Sequence, residues 1–205
     1  MRKHFTNTVG CAVAILCLAS AASPQNPPAS AQTGSASSAA VSTVVAHPTY
    51  VSIPMEITVD RPAAEVWKRV GKYCDIGEWL QVPCTITSGK DGEFGATRSI
   101  GNEVLVGKTE LSYTYTQPVR EGRPYNLYHG TLEARPVTPT TSKLVYTLIF
   151  DNSMLPDDAA REKDIAQRTT RFTQALQNMK TLAEGGTLPP PPARGAGPGA
   201  GPPKQ

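Results

Sequence analysis

Apolar and polar residues alternate along the segment from Tyr50 to Val59. Every odd-numbered position from Val51 to Val59 is apolar, and most of the positions between them are polar. This period of two residues is typical of a half-buried β-strand. Because Pro54 has no backbone N–H to donate, we expect the beginning of this strand at an edge of its sheet.

Two short helices are predicted after this strand. Apolar residues repeat at helical spacing from Ala63 to Val70, directly after Pro62. A proline in the first turn of a helix costs no hydrogen bond, because that N–H has no partner there. The second helix is predicted over Asp75 to Leu80, with Asp75 as its cap and with Trp79 and Leu80 facing the core.

Six short strands are predicted next, separated by glycine, proline and asparagine residues that favour tight turns and therefore antiparallel pairing. The predicted strands are Thr85–Ser88, Ala96–Ile100, Glu103–Val106, Leu111–Gln117, Leu127–Arg135 and Ser142–Asp151. In the last three strands the aromatic and leucine residues fall on one face. Polar residues, among them His129, fall on the other face.

The last predicted element is a long amphipathic helix. Its apolar stripe advances in steps of four and three residues through Ile165, Thr169, Phe172, Leu176, Met179 and Ala183. The helix is predicted from Asp157 to Glu184, about 28 residues and about 42 Å long, and the glycine pair that follows would end it. We expect its apolar stripe to pack on the aromatic face of the sheet.

The two ends of the chain differ in composition from this domain, which we place at residues 49–185. Residues 1–22 have a basic start, an apolar run and a small-x-small cleavage site, the pattern of a secretory signal peptide. The apolar run is too short to span a bilayer, so no transmembrane segment is expected after cleavage. Residues 23–48 are predicted to be a disordered linker and residues 186–205 a disordered Pro/Gly-rich tail. The expected location is periplasmic or secreted.

Export changes the interpretation of the cysteines. Cleavage of the signal would leave Cys74 and Cys84, an even pair in an oxidising compartment. We therefore predict a disulfide between them. The competing interpretation is a reactive thiol.

The charge and the histidine content of the chain argue against two classes of function, nucleic-acid binding and a multi-histidine metal centre. The net charge is +3, but without Arg2, Lys3, Arg194 and Lys204 the chain has 16 basic and 17 acidic residues. A nucleic-acid partner is not expected, because binding phosphates needs a concentrated basic surplus. His129 is the one histidine within the predicted globular segment, which argues against a multi-histidine metal centre. We predict no metal and no cofactor.

Several short motifs follow one another along the domain. In chain order they are Met55-Glu56-Ile57, Asp60-Arg61-Pro62-Ala63, Val66-Trp67, Val70-Gly71, Trp79, Gly92, Phe94-Gly95-Ala96-Thr97-Arg98, Tyr128-His129-Gly130-Thr131-Leu132 and Pro136. In this order the chain resembles the SRPBCC superfamily over about residues 52–183. That superfamily includes START lipid-transfer domains, the major birch-pollen allergen fold and polyketide cyclase/dehydrase-like proteins.

The resemblance implies an α+β helix-grip fold. In this fold a curved, seven-stranded antiparallel sheet wraps around a long C-terminal helix, with two short helices after the first strand and an apolar cavity between sheet and helix. The superfamily supplies no universal catalytic residues, so the resemblance assigns none here. The predicted signal, the cysteine pair and the proline-rich tail are departures from typical members.

The candidate ligand-binding residues are mainly aromatic and are predicted to face the space between sheet and helix. They are Trp79, Tyr113, Tyr115, Tyr128, Tyr146 and Phe172. A tyrosine offers an apolar ring with one polar tip, which suits a ring or acyl chain that carries an oxygen. The alternative is that these rings form the packed core. Gly130, among them, indicates either a close approach to the backbone or a bend in the sheet.

Arg98 has two interpretations. If it faces inward with Ala96 and Ile100, it is a candidate to hold a ligand carboxylate through two hydrogen bonds. The pattern favours the other interpretation, an ion pair on the exterior. We assign no catalytic residue, because His129 falls on the outer face and the candidate carboxylates, Glu78 and Glu133, have no acidic partner on the same face.

These patterns predict an exported, monomeric carrier for a small hydrophobic or aromatic molecule or a lipid. One alternative is a polyketide cyclase/dehydratase-like enzyme on the same scaffold that uses tyrosine hydroxyls and Arg98. A second alternative is an envelope interaction module in which the proline-rich tail is the functional part.

Overall fold

The computed structural model describes residues 45–190. The predictions of a signal peptide, of a linker up to residue 44 and of a tail from residue 191 lie outside the described residues. Within residues 45–190 no helix combines the length and the apolar character that a membrane span requires.

The order of elements is the predicted one: a strand, two short helices, six strands and a long helix. The elements are β1 (Tyr50–Val59), α1 (Ala63–Val70), α2 (Ile76–Trp79), β2 (Ile86–Ser88), β3 (Thr97–Arg98), β4 (Glu103–Lys108), β5 (Ser112–Thr116), β6 (Asn126–Pro136), β7 (Ser142–Asp151) and α3 (Asp158–Ala183). The largest difference is β3, which keeps two of its five predicted residues. The predicted α+β helix-grip fold is confirmed.

The seven strands form one antiparallel sheet in the order β1-β7-β6-β5-β4-β3-β2. β1 is an edge strand and pairs along its whole length with β7, from Tyr50 opposite Asp151 to Val59 opposite Ser142. Pro54 therefore lies at the edge where its missing N–H is tolerated. In β5, β6 and β7 buried and half-buried residues alternate, so each strand turns its aromatic side to the interior.

The sheet is curved, and three irregularities in strand register contribute to the curvature. They lie between Ile86 and Ser88, between Leu105 and Gly107, and between Asn126 and His129. A bulge of this kind bends its strand and increases the local twist. The result is a concave face that holds the core.

Helix α3 packs on this concave face mainly through its second half. Asp157 caps the helix, since its side chain accepts a hydrogen bond of 2.8 Å from the N–H of Ala160. The buried residues of α3 are Phe172, Ala175, Leu176, Met179 and Leu182. Ile165 and Thr169, at the start of the predicted stripe, are only half-buried.

Cys74 and Cys84 form a disulfide, with their Cα atoms 5.6 Å apart. The predicted bridge is thereby confirmed. It joins the two segments that flank α2 and so holds this short helix on the domain. The beginning of the predicted tail also contacts the domain, since the side-chain amide of Gln81 donates a hydrogen bond of 2.6 Å to the carbonyl of Pro189.

Gly130 lies directly opposite Tyr115 in the pairing of β5 and β6. A Cβ atom at this position would overlap the ring and hydroxyl of Tyr115. The close approach predicted for this glycine is therefore made by a tyrosine of the same sheet, which covers the bare backbone as aromatic side chains do beside strand glycines.

We expect Gly130→Ala to reduce the free energy of unfolding by about 1–3 kcal/mol, because the added methyl group overpacks the site. Urea denaturation with the disulfide intact measures this loss. Gly107→Ala is the control, since its Cβ would meet the Cβ of Thr114 at 3.3 Å and should cost less. An unchanged or increased stability of Gly130→Ala would contradict the packing described.

Candidate functional site

The interior beneath the second half of α3 is filled by aromatic side chains. The hydroxyl groups of Tyr115 and Tyr146 are hydrogen-bonded at 2.8 Å, and the ring of Phe172 lies 4.8 Å from that of Tyr146. Burial raises the pKa of both tyrosines well above its ordinary value, so both hydroxyls keep their protons at neutral pH. This part of the predicted cavity is packed core.

A cavity of about 420 Å³ opens where the first half of α3 lies across the sheet. We call it the helix cavity. It is lined by Ile76, Leu80, Ile100, Gly101, Glu103, Tyr115, Gln117, Arg123, Tyr125, Tyr128, Asp164, Gln167, Arg168, Arg171 and Phe172. Its inner wall is aromatic and its rim is charged, so it suits a ligand with an apolar part and a polar part.

Arg168 connects the rim of the helix cavity to its aromatic wall. Its Nε donates a hydrogen bond of 2.9 Å to Asp164, one helical turn earlier. Its guanidinium carbon lies 4.4 Å from the ring centre of Phe150 and 4.6 Å from that of Tyr125. These distances are typical of cation–π contacts, so Arg168 is held in place by the wall.

A chain of hydrogen bonds runs along the sheet side of the helix cavity. The hydroxyl of Tyr125 donates to the side-chain carbonyl of Gln117 at 2.6 Å. The amide of Gln117 donates at 2.8 Å to Glu103, which accepts from Nε of Arg98 at 2.6 Å on its other oxygen. Burial raises the pKa of Glu103, although Arg98 and Gln117 act in the opposite direction.

Arg98 is fully buried and pairs with Glu103 in the interior. One terminal nitrogen donates to the carbonyl of Tyr73 at 2.6 Å. The guanidinium carbon lies between the rings of Tyr73 and Tyr115, 4.3 and 4.6 Å from their centres. Burial lowers the pKa of Arg98, but Tyr113 and Glu103 raise it, and the balance lies above the ordinary value.

The favoured expectation of an exterior ion pair at Arg98 is therefore wrong. The short β3–β4 connection places Arg98 directly opposite Glu103, and both side chains turn to the concave side. The carboxylate that Arg98 binds belongs to the protein. A buried guanidinium is tolerated here because an ion pair, a carbonyl and two rings replace its water.

A second cavity, of about 430 Å³, lies on the other side of Arg98. We call it the lysine cavity. It is lined by Trp67, Lys68, Gly71, Lys72, Tyr73, Asp91, Gly92, Leu105, Lys108, Thr109, Ser112 and Tyr113. It shares no lining residue with the helix cavity, and the buried ion pair with its flanking tyrosines lies between them.

Residues 50–184 match the family model described as polyketide cyclase / dehydrase and lipid transport. The chain belongs to this family. No curated protein matches the chain. The resemblance to the SRPBCC superfamily is confirmed by this match and by the fold.

Several solved structures share this fold. A protein from Thermobifida fusca is 25% identical, with 67% of this chain and 97% of that chain covered and a TM-score of 0.55. The Zhui aromatase/cyclase from Streptomyces sp. R1128 is 15% identical, with 68% and 100% covered and a TM-score of 0.52. A protein from Nitrosospira multiformis is 22% identical, with 64% and 96% covered and a TM-score of 0.50.

The structure divides the predicted ligand-binding residues of this family member among several places. Tyr115, Tyr128 and Phe172 line the helix cavity, and Tyr113 lines the lysine cavity. Arg98 and Tyr146 line neither of these two cavities. Trp79 is fully buried and also borders a shallow groove of about 220 Å³ between α2 and α3.

Among the lining residues of the helix cavity that were not predicted from the sequence, four make the polar contacts described above: Glu103, Gln117, Tyr125 and Arg168. Two of them carried a usable signal. Arg98 and Glu103 are opposite charges that flank one predicted turn, and Asp164 and Arg168 are opposite charges spaced four residues apart on one helix. Gln117 and Tyr125 carried none, because their contact depends on how the loop between β5 and β6 folds back.

We expect Arg98→Met and Glu103→Leu each to reduce the free energy of unfolding by about 3–5 kcal/mol, because each leaves the other charge buried and unpaired. The double variant should lose less free energy of unfolding than the two single variants lose in sum. Chemical denaturation of all four proteins measures the coupling.

The exposed pair of Lys143 and Glu56, which bridges β7 and β1, is the matched control and should show little coupling in the same cycle. Strictly additive losses at Arg98 and Glu103 would contradict a mutually dependent buried pair.

Proposed function

We propose that this domain binds a small, partly aromatic molecule in the helix cavity and acts as its carrier. The observation that supports this proposal is a cavity of about 420 Å³ between sheet and helix, within the size range of small-molecule sites. Tyr115, Tyr128 and Phe172 provide its aromatic wall. Burial raises the pKa of Tyr128 to about 12, so its hydroxyl is a neutral donor at physiological pH.

The charged rim of the cavity favours a ligand with a polar or anionic group at one end. Arg168 on the rim is paired with Asp164. Arg123 and Arg171 also line the cavity, and neither forms an ion pair with another residue of the 45–190 segment. We infer a ligand whose apolar part lies on the tyrosines and whose polar or anionic group faces these two arginines.

We further propose that the carrier works outside the cytoplasm as a monomer. The disulfide between Cys74 and Cys84 supports an oxidising compartment, because such bonds rarely persist in a reducing cytosol. The family description includes lipid transport, which is compatible with a carrier of hydrophobic or aromatic molecules.

Native mass spectrometry and solvent extraction of the purified protein test the proposal. A lipid or aromatic compound should co-purify, and at 100 times its Kd it should raise the free energy of unfolding by about 2.7 kcal/mol. Gln167→Trp should abolish this gain, because Gln167 is an exposed helix residue that lines the cavity and the indole would fill it.

Gln177→Trp is the matched control. Gln177 is exposed on the same helix and lines none of the cavities described here, so binding should be unchanged. If no compound co-purifies and no ligand from a broad thermal-shift screen distinguishes these two variants, the carrier proposal is wrong.

A second candidate function is a cyclase or dehydratase on the same scaffold. The observation that favours it is Glu103, a carboxyl with a raised pKa in the cavity wall, since perturbed titratable groups often mark catalytic sites. Incubation with the extracted ligand separates the two functions. A carrier returns the compound unchanged, whereas a dehydratase returns it without one water molecule.

The third alternative, an envelope interaction module, depends on the proline-rich tail. The structure describes this segment only as far as Pro190, and there Leu188 packs against the core while Pro189 accepts the hydrogen bond from Gln81. The rest of the tail lies outside the described residues, so this alternative stays a prediction.

A further inference from the structure

The lysine cavity lies on the opposite side of the buried Arg98–Glu103 pair from the helix cavity. Its walls come from the end of α1, the segment that follows it, the loop before β3, and the neighbouring ends of β4 and β5. Helix α3 contributes none of its lining residues. A molecule bound here would therefore be separate from the ligand proposed for the helix cavity.

The floor of the lysine cavity is apolar and largely aromatic. The ring of Tyr113 lies 5.7 Å from that of Trp67 and 5.5 Å from that of Tyr73, the latter edge to face. Leu105 is buried beside them. Trp67 is only half-buried, so part of its indole remains available for contact with another ring, and offset or edge-to-face contacts between rings are favourable.

Three cations surround this aromatic floor. Lys68 belongs to α1, Lys72 to the segment after it, and Lys108 to the end of β4, and all three are exposed. Lys108 donates a hydrogen bond of 2.6 Å to the carbonyl of Gly92. Lys68 and Lys72 form no ion pair within the described 45–190 range, and Asp91 is the one acidic residue in the lining.

We propose that the lysine cavity is a second binding site, which takes a small aromatic anion such as an aryl carboxylate. Its ring lies against Trp67 and Tyr113, and its anionic group faces Lys68 and Lys72. Cations from separate parts of the chain that converge on an aromatic floor match both halves of such a molecule. The hydroxyl of Tyr73 is buried without a hydrogen-bond partner among the described residues, so this lining residue keeps an unused donor beside the cavity.

The chain has two tryptophans, and only Trp67 lines this cavity. The variant Trp79→Phe therefore leaves a single tryptophan, at the proposed site, which excitation at the red edge of indole absorption selects over the tyrosines. 4-Iodobenzoate is the probe, because its iodine quenches the fluorescence of an indole at contact. 4-Iodobenzamide is the uncharged control of the same shape. We expect saturable quenching of Trp67 by the carboxylate, weaker quenching by the amide, and loss of the difference at high salt.

Lys68→Glu combined with Lys72→Glu should weaken the affinity for 4-iodobenzoate by about tenfold or more, because two charge-assisted contacts become repulsive. Both lysines are exposed, and thermal unfolding of the variant checks that the fold is retained. Lys163→Glu, an exposed lysine of α3 outside both cavities, is the matched control and should leave the affinity unchanged.

Arg171→Glu changes the rim of the helix cavity and should leave the quenching of Trp67 unchanged. This variant separates the present proposal from the carrier function, since either can fail alone. Absence of saturable quenching, equal quenching by the amide, or an unchanged affinity in the double lysine variant would overturn the proposal.

Discussion

A guanidinium group removed from water needs other partners, and those of Arg98 come from separate parts of the chain. Glu103 approaches from β4, the carbonyl and ring of Tyr73 from the segment after α1, and the ring of Tyr115 from β5. The outer strands β2 and β3 are only three and two residues long. Since few strand hydrogen bonds hold this end of the sheet, the contacts of the buried Arg98 link β3 to β4, to β5 and to the segment after α1.

The same group of side chains separates the two cavities. Glu103 and Tyr115 form part of the wall of the helix cavity, while Tyr73 and Tyr113 form part of the wall of the lysine cavity. A ligand in either space would press on side chains that contact Arg98. The buried Arg98–Glu103 pair and its flanking tyrosines thus divide the interior of this family member into two cavities. Within the described part of the chain, a single apolar cavity between sheet and helix is not formed.

The helix cavity exists because only the second half of α3 packs closely on the sheet. Its second half is fastened to the sheet by Phe172, Leu176 and Met179, which are buried, whereas its first half carries Asp164, Gln167 and Arg168 towards the open space. The guanidinium of Arg168 lies against the aromatic wall and is paired with Asp164 of the same helix. The site is therefore aromatic on the sheet side and charged on the helix side, a more polar arrangement than the sequence pattern predicted.

The periodicity of apolar residues was sufficient to predict the strands, the long helix, the inward side of β5 to β7 and the antiparallel sheet, because these depend on local spacing and on the need to bury one face. The predicted export and the even number of cysteines that it would leave were sufficient to predict the Cys74–Cys84 bridge. The direction of Arg98, its pairing with Glu103, the hydrogen bonds of Gln117 and the division of the tyrosines between core and cavities were decided only by the tertiary structure. These features depend on side chains from distant elements that replace water around one another, and no spacing along a single strand or helix records which of them will meet.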